Sequence, residues 1–148
     1  MWTFEHSRTS NAGVTEVFAM LSDVAGWPEW NAGVESVSLD GPFVARTAGV
    51  MAMPGQEPLS FRLIWVDPRK GFEDETDLPD AGVVVRVRHT IEALPKGGTR
   101  ITYRATIEGP AADEVGPELG PAITADFPSV IGALAERAES VRVASSPG

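Results

Sequence analysis

His89 stands on the apolar face of a strand-like run, where Val85, Val87, His89 and Ile91 alternate with Arg86, Arg88, Thr90 and Glu92. An imidazole there can serve as a general base near neutral pH, or it can be a core histidine held by one neighbour. Tyr103, the single tyrosine of the chain, shares a face with Ile101, Ala105 and Ile107 on the next run. Its hydroxyl can donate to a ligand carbonyl, or the ring can be core with the hydroxyl reaching out. Asp74 shares a face with Phe72 and Thr76, while Glu73, Glu75 and Asp77 share the other. A carboxyl turned inward loses hydration, holds its proton more tightly and becomes an acid or base; turned outward it is one more solvated charge. If two of these three groups converge in a pocket, they can act together as acid and base.

Other chemistries are poorly provided for. The chain has no cysteine, which removes disulfides, thiolate nucleophiles and cysteine-ligated metals. His6 and His89 are the only histidines and are not at ligand spacing, so no metal or other cofactor is expected. No Gly-rich phosphate loop, nucleophile elbow or HExxH pattern occurs. Arg62 alternates with Phe61 and Leu63 and with Trp65 beyond; it is either a surface partner of Glu73 or Glu75 or the anchor of a ligand carboxylate. Twelve basic residues against 21 acidic ones give a net charge of −9, which argues against nucleic acid and anionic membrane surfaces as partners. No apolar run approaches the roughly 20 residues that span a bilayer, and Met1–His6 lacks the pattern of a secretory signal, so a cytoplasmic location is expected.

The elements that must position these groups follow from periodicity. Trp2, Phe4, His6 and Arg8 alternate with polar residues, a strand. Val14, Val17, Phe18 and Leu21 form the stripe of a short helix, with Asn11 or Gly13 as candidate cap. A second helical turn spans Asp23–Trp30. Here Pro28 biases Trp27 away from helical backbone, making a stiff corner that aims Trp27 and Trp30 at the core or at a pocket mouth. Six strand-like runs follow, Val34–Leu39, Thr47–Met53, Leu59–Val66, Phe72–Leu78, Val83–Leu94 and Thr99–Glu108, separated by Gly/Pro/Asp turns. From Leu119 to Val141 apolar residues recur every three or four positions, a long amphipathic helix with Pro121 in its first turn and a kink at Pro128. Ser145–Gly148 reads as a frayed tail. The 148 residues fit one domain. The predicted class is α+β: a curved antiparallel sheet of about seven strands around a long C-terminal helix, with two short helices after the first strand.

This order, together with Leu21-Ser22-Asp23-Val24, Trp27-Pro28-Glu29-Trp30-Asn31, Leu39-Asp40-Gly41-Pro42, Phe72-Glu73-Asp74-Glu75-Thr76 and Ile123–Pro128, resembles the polyketide cyclase/dehydrase branch of the START-like, helix-grip superfamily over Trp2–Arg142. The resemblance implies a cavity between the concave sheet face and the helices, with Trp27 and Trp30 near its entrance and Phe127 and Ile131 facing it. Phe4 and Phe72 complete the expected ligand-binding set beside Arg62. The implied function is binding of a small hydrophobic or aromatic molecule, such as a lipid or polyketide, by a monomer or homodimer that spans no membrane. The alternatives are a polyketide cyclase or dehydratase using His89, Tyr103 or Asp74, and a protein-interaction or stress-response module without ligand, with a filled interior and an exposed apolar patch that puts Trp27 or Trp30 on the surface.

Overall fold

Seven strands pair antiparallel in the order β1-β7-β6-β5-β4-β3-β2. They are β1 (Trp2–Ser10), β2 (Ser36–Leu39), β3 (Ala48–Ala52), β4 (Leu59–Asp67), β5 (Gly71–Leu78), β6 (Val83–Ala93) and β7 (Thr99–Glu108). The computed structural model describes residues 1–145, with side chains through residue 140. The last three residues of the expected frayed tail lie outside it, as does the side chain of Val141. Short turns join β2 through β7 into a meander, and β1 returns to the free side of β7. Gly71 opens β5 at φ 123°, with the place of its missing Cβ filled by the carbonyl of His89, so only glycine permits this approach of β5 to β6.

The pairing decides which side chains look inward. Phe72, His89, Tyr103 and His6 are successive cross-strand partners in one row; Asp74, Val87, Ala105 and Phe4 form the next. The register slips between Leu63 and Trp65. That bulge separates two residues expected on one face: Leu63 stays inward, fully buried, while Trp65 turns outward beneath Arg88, whose guanidinium carbon lies 4.1 Å from the ring centroid.

The two short helices are α1 (Val14–Ser22) and α2 (Trp27–Trp30), bridged by a 3₁₀ turn at Val24–Gly26. Trp27 is helical, with φ −53° and ψ −40°, against the bias of the proline that follows it. The ring explains why. It stacks on Phe72 at 6.0 Å and donates its indole N–H to the Leu21 carbonyl at 3.0 Å, a burial that outweighs the local preference. The C-terminal arm begins earlier than its apolar stripe, as α3 (Ala112–Thr124) followed by α4 (Phe127–Ser145). Pro121 therefore sits deep in α3, and the kink expected at Pro128 is a break. Helix α3 stops at Thr124, whose carbonyl a proline at position 128 would crowd, and Pro128 falls in the first turn of α4, where a missing N–H costs nothing.

Two apolar clusters result. One packs α1, α2 and α4 on the sheet and includes Trp27, Phe72, Tyr103, Phe127, Ile131 and Leu134. The other packs α3 on Val83, Val85 and Ile107. Trp2 and Val87 touch both. Trp2 lies across the Cα positions of Gly116 and Gly120, which leave room for its ring on α3.

Candidate functional site

The seam between the two clusters lies across from the α3–α4 break, and there the concave face is polar. A chain of ring contacts leads to it. Trp27 stacks on Phe72, Phe72 stacks on His89 at 4.0 Å and 11°, His89 meets the edge of Tyr103 at 4.4 Å, and Tyr103 meets Phe127 at 5.6 Å. Phe127 comes from the first residue of α4, and Phe4 of β1 lies 6.1 Å from it. The space between sheet and helix that the resemblance leaves for a cavity is largely taken up here by stacked rings.

At the polar end, His89 Nδ1 lies 3.4 Å from the Phe72 carbonyl. A carbonyl only accepts, so this contact favours the tautomer with the proton on Nδ1 and a lone pair on Nε2. Nε2 lies 4.0 Å from the Asp74 carboxyl, beyond hydrogen-bond range. Among the described residues, neither His89 Nε2, the Asp74 carboxyl nor the Tyr103 hydroxyl has a hydrogen-bond partner, yet no unpartnered side-chain oxygen or nitrogen is sealed from solvent. His89 and Tyr103 are 8% and 4% exposed, and the Asp74 side chain 21%. These three groups therefore border space that a water or a ligand atom can reach. Val87 beside them is only half-buried, and Phe4 at the margin is 39% exposed.

Burial sets the charges. It pushes Asp74 from its ordinary 3.8 up to about 7, with the Glu73 charge adding to the effect. It lowers His89 from 6.5 to about 3, against the small opposing pull of the Phe72 carbonyl. Tyr103 is driven far above its usual range by burial and by the negative charges of Asp74 and Asp126. Asp126, in the α3–α4 break, is itself raised by burial. At neutral pH the cluster holds a neutral imidazole, a neutral phenol and a carboxyl poised between its two forms.

The three groups proposed for chemistry thus sit side by side. The expected ligand-binding residues divide. Phe72 and Phe127 are core rings that also wall the site, and Phe4 lies at its exposed margin. Trp27 is buried beneath Phe72, on the side away from His89 in the ring chain, and Ile131 is fully buried in the α4 core. Trp30 lines a different feature, an open groove of about 400 Å³ between α2 and α4 with Pro28, Ala32 and Arg137. Arg62 is on the convex face, bonded at 2.7 Å to Glu75, which also takes a 2.9 Å bond from Arg86. Arg88 similarly holds Glu73 at 3.2 Å. Sequence reasoning missed Val87 and Asp126. Strand alternation places Val87 beside His89 but not at the seam of two cores, and Asp126 gains its place only from the helix break.

No curated protein matches this chain. Solved structures match its fold at low identity. Ara h 8.0201 is 16% identical, with 93% of this chain and 97% of that one covered at a TM-score of 0.75. Norcoclaurine synthase from Thalictrum flavum, in complex with dopamine and hydroxybenzaldehyde, is 14% identical over 99% of this chain and 88% of its own, at 0.74. The di-domain ARO/CYC StfQ from the steffimycin biosynthetic pathway is 14% identical over 95% of this chain and 51% of its own, at 0.74. The family model described as polyketide cyclase / dehydrase and lipid transport matches residues 1–139, and the chain belongs to that family.

Proposed function

We propose that the protein binds a small hydrophobic or aromatic molecule at the seam on its concave sheet face, between Asp74, His89 and Tyr103 and the α3–α4 break. The observation that carries this reading is the set of three polar groups, each open to solvent and, among the described residues, without a protein hydrogen-bond partner at His89 Nε2, Asp74 and the Tyr103 hydroxyl, on an otherwise apolar, largely buried face. Water can satisfy them in the empty protein, and a ligand that displaces it must supply matching polar atoms. The rings of Phe4, Tyr103 and Phe127 supply apolar area, at about 25 cal/mol for each Å² removed from water. Family membership and the ligands held by norcoclaurine synthase support an organic, ring-bearing occupant.

A second reading, acid–base catalysis of the cyclase or dehydratase kind, is favoured by one observation. Asp74 is poised at about 7 beside the bare Nε2 of His89, so a carboxyl can give or take a substrate proton while Tyr103 donates to the developing oxyanion. The interaction-module reading asks for a tryptophan at the surface; Trp27 is 8% exposed, and Trp30, half-buried, lines the open groove between α2 and α4.

Native mass spectrometry with identification of co-purified molecules tests the binding reading, with tryptophan fluorescence as the titration signal. Val87→Trp fills the seam. The expected result is a ligand that the parent protein retains and the Val87→Trp variant loses while its thermal midpoint holds. Equal retention by a folded Val87→Trp protein overturns the placement. No response to lipids, quinones or polyphenols overturns the binding reading itself.

A further inference from the structure

The strap between β2 and β3 is held down at its middle by one ring. From Gly41 to Arg46 every residue is exposed except Phe43. Phe43 packs into the first apolar cluster, 5.1 Å from Phe72 of β5 and 6.1 Å from Phe18 of α1, edge to face with both. Val44 beside it is 48% exposed. The strap's remaining bonds close on itself. The Val44 N–H and the Thr47 hydroxyl both donate to the Pro42 carbonyl, at 2.9 and 2.7 Å, and the Thr47 N–H donates to the Val44 carbonyl at 3.3 Å. A loop bonded in this way can move as a unit.

At its base the strap is tied to β4. The Arg46 N–H donates to the Leu63 carbonyl at 2.7 Å, and the Leu63 N–H donates to the Thr47 carbonyl at 2.9 Å. Leu63 thus faces two residues, a bulge whose first position is left-handed and is ordinarily filled by glycine. Arg46 holds that position at φ 81°, alone among the described non-glycine residues. It is exposed and enters no ion pair among the described residues, so nothing at its guanidinium offsets the backbone cost. Strain of this kind persists only where other contacts hold it in place. Here the holding contact is the Phe43 ring.

We propose that Phe43 is a displaceable plug: the strap swings about Arg46, and an uncharged apolar group of phenyl size takes the ring's place between Phe18 and Phe72. Opening breaks one backbone bond, from Arg46 to Leu63, and frees Arg46 from its left-handed conformation. The incoming group restores the apolar contacts that Phe43 gives up. This subsite shares Phe72 with the seam but uses none of the three polar groups there, so it goes beyond the binding reading above. Because only the open form accepts the group, its affinity is reduced by the fraction of protein that is closed.

The test combines amide hydrogen exchange by NMR with a titration of fluorobenzene, followed by fluorine NMR. The Arg46 amide should exchange through local opening, well below the free energy of global unfolding. Fluorobenzene should speed that exchange. It should leave the Asp40 amide, bonded to the Ala48 carbonyl at the root of the strap, unchanged. Arg46→Gly relieves the closed strap and touches no ligand, and should weaken fluorobenzene by about fivefold. Phe43→Ala should tighten it, and adding Arg46→Gly to Phe43→Ala should then change nothing. An Arg46 amide that exchanges only by global unfolding, or that fluorobenzene protects, overturns the plug. So does an affinity unmoved by Arg46→Gly, even if Phe43→Ala binds, because any emptied apolar ring site can take benzene. Absence of fluorobenzene binding overturns it as well. Binding lost in Val87→Trp puts the probe at the seam, which overturns the plug and leaves the binding reading standing.

Discussion

Two opposed titrations are built into the His89–Asp74 pair, and removing either one should expose the other. Asp74 is raised in the folded protein from 3.8 to about 7, so the stability it contributes is fully present below pH 3.8 and is lost as pH rises to 7. His89 is lowered from 6.5 to about 3, so its contribution is present above pH 6.5 and is lost as pH falls toward 3. Each tenfold change in proton affinity is worth about 1.4 kcal/mol, which puts the ceiling for either group at about 4.5–5 kcal/mol. Between pH 4 and 6.5 the two slopes have opposite sign and similar size, and the parent protein should show a nearly level stability from this pair. Asp74→Asn keeps the His89 slope, so its urea midpoint should climb from pH 4 to 6.5. His89→Gln keeps the Asp74 slope, so its midpoint should fall over the same range and continue falling to pH 7. The measurement is urea unfolding at half-unit steps of pH for all three proteins, followed by far-UV circular dichroism. If the pair were instead an ion pair, with Asp74 ionised and His89 charged, neither variant would show these slopes. Midpoints that move together in both variants would refute the neutral assignment.

Three further expectations rest on other contacts. Gly71→Ala places a Cβ into the His89 carbonyl at φ 123°, and should destabilise by at least about 3 kcal/mol in the same urea assay; a loss under 1 kcal/mol would mean the β5 start can move away from β6. Phe72→Ala removes a fully buried ring that contacts Trp27, Phe43 and His89, and should cost about 3–5 kcal/mol with a red shift of tryptophan emission. Partial burial disfavours the Glu75 charge, yet its bonds to Arg86 and Arg62 hold it below the usual carboxylate range; Glu75→Gln should still lower stability by only about 1 kcal/mol, and less at high salt.

Most of the frame was legible because strand alternation survives noise. Thr99–Glu108 was read to its ends, and the alternating faces of β5, β6 and β7 put Asp74, His89 and Tyr103 on comparable sides before any pairing was known. What alternation cannot supply is register. Only the pairing Phe72–His89–Tyr103 brings those rings into one row and turns Asp74 inward beside them. The bulge at Leu63/Trp65 left no local mark, so Trp65 was assigned to the wrong face. Trp27 shows the complementary failure: a correct backbone bias from Pro28, overruled by a stack on a residue 45 positions further along the chain.

The proline at position 128 links these levels. It forces the arm to break after Thr124, and the break divides the helical cover into two pieces that pack on different parts of the sheet. With the break, the Asp74 carboxyl is 21% exposed, and Asp126 lies in the gap with its carboxyl beside Gly33. The same break sets Phe127, the first residue of α4, against Tyr103. The candidate site therefore follows from a single interruption of a helical pattern. Its polarity is inherited from the sheet beneath, where Asp74 and His89 face inward and, among the described residues, neither is bonded to an arginine.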